Sequence, residues 1–366
     1  MTESAFQPNW ASPPGETIAA ILKARAIPLH QFCALIGLGE QQTLGLLHGR
    51  HPIDPKLAIR ISASVGSTPR FWIERERRFQ SNLKALEACR PALEQWFRAF
   101  PIAKMREMGW IPRMGAKTDA PFELLDFFGV STIEQWKETY VSCLDRAKFR
   151  TSETFENSVP ATTAWLRRGE LVADEMSCQK WSRKTFHRCL IGLKPLSMEP
   201  DPRIFVPKLQ MECARHGVAV VVERCPAGCV ASGATLILES GRRLLLLSAR
   251  FLSDDHFWFS FFHEAGHLVL HGEELNIEGA GAVSPAREAE ANEFAQRIIL
   301  DPGGEESLES VPINKFAIAR LARRCNVSKG LIVGQLQNRN RVSQTRFNPF
   351  KTRYKAEDFI PESELA

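Results

Sequence analysis

The chain has 366 residues, 44% of them hydrophobic and 24% charged, the balance of a globular protein with core enough for two or three domains. A formal charge of +5 is too mild to mark nucleic-acid binding by itself, and no apolar run reaches membrane-span length. With no leader pattern at Met1-Thr2-Glu3-Ser4 and nine scattered cysteines, a cytoplasmic protein with reduced thiols and no membrane partner is expected.

Residues 1–12 read as a flexible arm. Five short helices follow. Thr17–Arg25 carries Ile18, Ile21 and Leu22 on one face, Pro28–Ile36 carries Leu29, Phe32 and Ile36, and Glu40–His48 carries Leu44, Leu46 and Leu47. Asp54–Val65 carries Leu57, Ile59, Ile61 and Val65, and Thr68–Phe79 carries Phe71, Trp72 and Phe79. The tight Gly37-Leu38-Gly39 turn between the second and third is helix-turn-helix spacing. In that arrangement the third helix meets DNA: Gln41, Gln42 and Thr43 face base edges, and His48 and Arg50 lie near phosphates. Between 13 and 81, nine Lys/Arg stand against five Asp/Glu, which suits phosphate contact. Glu40 at the head of that helix works the other way, and a module kept only for dimerisation or partner binding is the alternative reading.

Residues 82–200 read as a helical linker domain, with Trp96, Trp110, Trp136, Trp165 and Trp181 as core rather than a cofactor box. Pro195, Pro200 and Pro202 mark a boundary. Beyond it, Leu209–His216 is helical, and Val218–Val222, Ala234–Leu238 and Leu244–Ser248 are strands. Thr235 and Leu236 are expected on a sheet edge that pairs with an extended peptide. Cys225 and Cys229, with three residues between them and no second pair nearby, read as structural thiols.

The stretch Phe261-Phe262-His263-Glu264-Ala265-Gly266-His267-Leu268-Val269-Leu270-His271 carries H-E-x-x-H inside an apolar helix that Ser253-Asp254-Asp255 can cap. Four residues of separation put the His263 and His267 rings on one helical face, where one Zn²⁺ takes both. Glu264 beside them suits a general base acting on water. A catalytic zinc needs a third protein ligand, and the helix opened by Ser284-Pro285 and closed by Asp301-Pro302 supplies carboxylates. On its wheel, Glu288 lies roughly 60° from the middle of the buried face, Glu290 roughly 100° and Glu293 roughly 160°. Glu288 is therefore the expected third ligand, Glu290 the alternative, and Glu293 a solvated charge. Asn292 can hydrogen-bond a ligand histidine. His271 and His256 are the candidate oxyanion donors. Asn314–Arg324 and Ser328–Gln337 form a helix pair, and residues 339–366 a basic tail with Arg339, Arg341, Arg346, Lys351, Arg353 and Lys355.

His263–His271 followed by Glu288–Ala295 resembles the ImmA/IrrE family of zinc metallopeptidases, whose second motif is similar to E-x-x-A-[DN]-x-F-A. The likeness runs from about Phe205 to Gln337 and takes in Leu244–Phe251 and Asp254–Trp258. It implies a gluzincin-like site that cuts a protein partner, often a transcriptional repressor. Residues 13–81 resemble the Xre/Cro-type helix-turn-helix of HigA-like antitoxins, through Pro14-Gly15-Glu16, Gly49-Arg50-His51-Pro52 and Thr68-Pro69-Arg70-Phe71-Trp72. Asn157–Asp174 is similar to a segment between the two modules in fused members.

The expectation is thus a mostly helical α+β protein: a five-helix helix-turn-helix domain at 13–81, a helical linker at 82–200 and a zincin domain with a small sheet at 201–338. Zn²⁺ is the expected cofactor. A protein substrate and double-stranded DNA are the expected partners, in a stress, mobile-element or toxin–antitoxin-like circuit, with a homodimer the usual state of such DNA-binding modules. The alternative is a non-proteolytic regulator or antitoxin whose zincin fold serves as a sensor.

Overall fold

The computed structural model describes residues 12–112, 120–142, 144, 159–229, 231–238, 240–248, 250, 252–272, 276–277, 285–300 and 307–359. The expected arm at 1–12 and the flanks Ser284 and Asp301-Pro302 lie almost wholly outside these residues. Two compact units result: Met1–Arg98 with Ala116–Ile133, and Ala99–Gly115 with Glu134–Ala366.

The first unit contains α1 (Pro14–Ala24), α2 (Leu29–Ile36), α3 (Glu40–Leu47), α4 (Pro55–Val65), α5 (Pro69–Arg98) and, beyond the short α6 (Ile102–Glu107) of the other unit, α7 (Ala120–Phe128). Ile18, Phe32, Ile36, Leu46, Leu57, Ile61 and Trp72 close one core. Proline at the first helical position starts α1, α4 and α5 where a missing N–H costs nothing. The Asp54 carboxylate accepts from Leu57 N at 2.6 Å, and Gly37 turns left-handed (φ 64°) to end α2. The fifth helix does not stop near Phe79 as expected. It runs on through Pro91, because Leu93 and Trp96 beyond the proline are buried and Trp96 packs on Phe128, 6.2 Å between rings. That burial outweighs the one hydrogen bond the proline removes.

The second unit continues with α8 (Ile133–Trp136), a π turn at Lys137–Val141, α9 (Val159–Glu175), α10 (Arg183–Leu193), a 3₁₀ turn at Lys194–Met198 and α11 (Pro202–Ala214). Strands β1 (Val218–Val222), β2 (Gly233–Ile237) and β3 (Arg243–Leu247) precede α12 (Asp254–His271). After it come β4 (Asn276–Ile277), α13 (Pro285–Leu300), α14 (Lys315–Cys325) and α15 (Lys329–Asn338). The sheet order is β1-β3-β2-β4, with β1 parallel to β3 and the other pairs antiparallel. Val218, Val220, Leu245 and Leu247 join Trp258, Phe261, Phe262 and Ile299 in one apolar core. On α9, a Cβ at Gly169 would come within 2.6 Å of Leu246 Cδ2, so the glycine lets that helix close on β3. Trp165 in the same helix donates to Glu223 O at 2.8 Å, a core role. β4 pairs with Ala234 and Thr235, so Thr235 is not on the open edge expected of it: the chain leaving the motif helix returns to cover that position.

Candidate metal centre

The motif helix α12 is apolar almost all round, with Phe257, Trp258, Phe261, Phe262, Ala265, Leu268 and Val269 buried. That carries its polar residues inward too: His263 and His267 are 1% exposed and Glu264 is fully buried. α13 lies against it at Gly266, where a Cβ would meet Phe294 Cδ1 at 3.0 Å and Ala291 O at 3.3 Å. The small residue inside the motif therefore sets how near Glu288 and Asn292 come.

At the contact, His263 Nε2 lies 3.0 Å from His267 Nε2, 3.3 Å from Glu288 Oε2, and His267 Nε2 lies 3.6 Å from Glu288 Oε1. Among the described residues, these three are the group whose donor atoms, all within 4.8 Å of one another, could hold a metal ion. The outer nitrogens are held as well. His263 Nδ1 is 3.0 Å from Asn292 Oδ1, His267 Nδ1 is 3.2 Å from His271 Nδ1, and His271 Nε2 is 2.7 Å from Glu290 Oε2.

These contacts assign the tautomers. Asn292 Oδ1 only accepts, so His263 carries its proton on Nδ1 and turns the Nε2 lone pair inward. Glu290 Oε2 likewise accepts from His271 Nε2–H. His271 then accepts at Nδ1 from His267 Nδ1–H, which frees His267 Nε2. Burial lowers the His267 pKa, favouring the neutral ring that a metal needs. Burial alone would raise Glu288, but with protons on the facing nitrogens of His263 and His267 the carboxyl is held at about 2, ionised, and a cation takes the place of those protons. Two lone pairs and a carboxylate converging on one point fit a divalent cation of borderline softness such as zinc.

Glu264 points to β2: a Cβ on Gly233 would sit 2.5 Å from Glu264 Oε1. Gly233 had no signal in the sequence, since nothing in H-E-x-x-H specifies what covers its glutamate.

Glu290, the alternative third ligand, is turned to His271 instead. His271 is occupied on both nitrogens and is not available as an oxyanion donor. His256 lies seven residues before His263, about 10 Å along the axis at 1.5 Å per residue, too far to reach the same atom. Its ring is half-exposed beside Asp255.

Part of the basic tail packs on the motif helix, while Arg353 and Lys355 stay exposed. Asp254 N donates to Thr352 O, Thr352 N donates to Asp254 Oδ1 and Tyr354 N donates to Leu252 O, the first two at 3.0 Å and the last at 2.9 Å. Lys351 Nζ lies 2.6 Å from Asp255 Oδ2 with both side chains buried, and Tyr354 packs on Phe205 and Phe257. Asp254 and Asp255, expected as caps, instead pin the tail to the start of the motif helix, and Ser253 Oγ donates to Asp255 Oδ1 at 2.7 Å.

In the first unit, α2 and α3 flank the Gly37–Gly39 turn, and Gln41, Gln42, His48 and Arg50 are exposed. Gln42 Oε1 accepts from Gly39 N at 3.3 Å, and His48 Nδ1 lies 2.7 Å from Leu44 O. Thr43, expected at base edges, is fully buried with its hydroxyl donating to Gly39 O at 3.0 Å. The three-residue turn brings that first-turn threonine underneath the helix.

Residues 213–336 match the family model of the M78 peptidases, described as the IrrE N-terminal-like domain. The match spans the sheet, the motif helix, α13 and nearly all of the α14–α15 pair. No curated protein matches the chain. No helix among the described residues is long and apolar enough to cross a membrane.

Proposed function

We propose that this protein is a zinc-dependent endopeptidase carrying a DNA-binding module. The observation that supports the peptidase most is the convergence of His263 Nε2, His267 Nε2 and the Glu288 carboxylate, with both outer imidazole nitrogens tied back. A peptidase-family domain over the same residues agrees with it. Bound by these three side chains, zinc would polarise the scissile carbonyl and make an attacking water more acidic. Glu264 takes the proton from that water and passes it to the leaving amine. Gly233 keeps the Glu264 carboxylate in place by leaving it room. Asn292 and the His271–Glu290 pair hold the two ligand rings in the required tautomer. The substrate is a protein or peptide, and a transcriptional repressor is the partner this reading favours.

In the first unit, Gln41 and Gln42 would face base edges, with His48 and Arg50 near phosphates. Their exposure and the excess of basic residues over 13–81 support this.

The test is zinc per chain in wild type, Glu288→Ala and Glu290→Ala, with proteolysis compared in Glu264→Gln. One equivalent in wild type, lost with Glu288 and kept in Glu264→Gln without cleavage, is expected. Zinc-free wild type under metal-replete conditions would overturn the peptidase reading and leave a helix-turn-helix regulator.

A further inference from the structure

The loop between β1 and β2 carries Cys225-Pro226-Ala227-Gly228-Cys229. Cys229 N donates to Pro226 O at 3.1 Å, and Gly228 takes a positive φ of 93° to close the turn. The turn folds the two ends back on each other and leaves Cys225 Sγ only 2.8 Å from Cys229 Sγ. Both are free thiols, Cys229 buried and Cys225 partly exposed. No third His, Cys, Asp or Glu joins them among the described residues, which argues against a metal site. We propose that Cys225 and Cys229 form a redox-active dithiol, a site that a hydroperoxide converts to a disulfide and a small thiol restores.

The S–H of one thiol can bond the other sulfur across the 2.8 Å contact, which favours loss of one proton from the pair against the opposing effect of burial. Either sulfur can therefore attack, with the other beside it to resolve the product.

In the first step, one sulfur of the pair attacks the terminal peroxide oxygen and the O–O bond breaks. The departing oxygen takes a proton and leaves as alcohol or water, and that cysteine becomes a sulfenic acid. In the second, the other sulfur attacks the oxidised one, the S–O bond breaks, and the thiol proton leaves with the hydroxyl as water. The two cysteines lose two electrons and the peroxide gains them.

The disulfide would staple the segment that backs Glu264. Cys225 Sγ donates to Ala231 O at 3.6 Å, and Ser232 O accepts from both Ser248 N and Ser248 Oγ at 3.0 Å. Gly233, against Glu264, is the next residue. The site does not depend on zinc being bound.

The test is intact mass and peptide mapping of the full-length reduced protein after hydrogen peroxide, with and without later dithiothreitol. Wild type is expected to lose two hydrogens, yield a linked Cys225–Cys229 peptide, and regain them with dithiothreitol. Cys225→Ser and Cys229→Ser should each yield no linked peptide and stop at a dimedone-reactive sulfenic acid on the remaining cysteine of the pair. Two unlinked thiols after peroxide, or either cysteine driven to sulfinic acid in wild type without a linked peptide, would overturn the proposal.

Discussion

At the scale of single residues, the candidate site depends on atoms that the motif does not contain. Gly233 is one. An alanine there puts a methyl on the Glu264 carboxylate, and Glu264 belongs to the motif helix whose other face is packed, so it has little freedom to yield. Gly233→Ala should keep one zinc per chain and lose most proteolysis; unaltered turnover would show that Glu264 can move without consequence. Glu290 is another. Its bond to His271 is two steps from the ligand nitrogen, so Glu290→Gln should weaken zinc binding by about 10–100-fold, the usual cost of losing an outer partner, rather than abolish it. A competition titration with a chelator would measure this. Loss as complete as in Glu288→Ala would make Glu290 a ligand after all.

At the scale of elements, the start of the motif helix and the tail form one device. Lys351 and Asp255 are an ion pair with both side chains more than nine-tenths buried. Removing one partner leaves the other charge uncompensated, so Lys351→Ala should cost about 3 kcal/mol in denaturant unfolding, while Lys351→Met with Asp255→Asn should cost much less. Equal losses would mean packing matters there and charge does not. Asp254 adds a pH dependence. Burial, with Asp255 nearby, pushes its carboxyl above the usual aspartate range, up to about 6. A folded pKa above the unfolded one means the protonated form is preferred in the fold. This contribution is fully present below the unfolded value and is lost as pH rises through about 6. The wild type should therefore lose on the order of 2 kcal/mol between about pH 4 and pH 8 from this group, and Asp254→Asn should flatten the change. An identical pH profile in the variant would assign the titration elsewhere.

At the scale of the whole molecule, the two units invite separate readouts on the same full-length protein. DNA binding through α3 would be mostly electrostatic, so its affinity should fall with salt, and Arg50→Ala should reduce the log–log salt slope by about one without changing sequence preference. Glu264→Gln should leave both unaltered. No salt-dependent DNA binding in wild type would favour the partner-binding alternative for residues 13–81.

The local chemistry was legible in the chain itself. Spacing of four residues puts His263 and His267 on one side of any helix, and the wheel of Pro285–Leu300 favours Glu288 over Glu290 before any packing is known. The turn glycines and N-terminal prolines placed α1 to α4 for the same reason, since backbone preference acts within a few residues. What only tertiary structure decided involves groups far apart in sequence. Burial of Trp96 against Phe128 carried α5 past Pro91. The return of β4 covered Thr235. Asp254 and Asp255, ordinary caps by sequence, were claimed by Thr352 and Lys351 nearly a hundred residues later. Thr43 sank beneath its helix because the turn that makes α2 and α3 neighbours also chooses which side faces inward. Periodicity reports which residues share a face; which face is covered, and by what, is fixed only when the rest of the chain arrives.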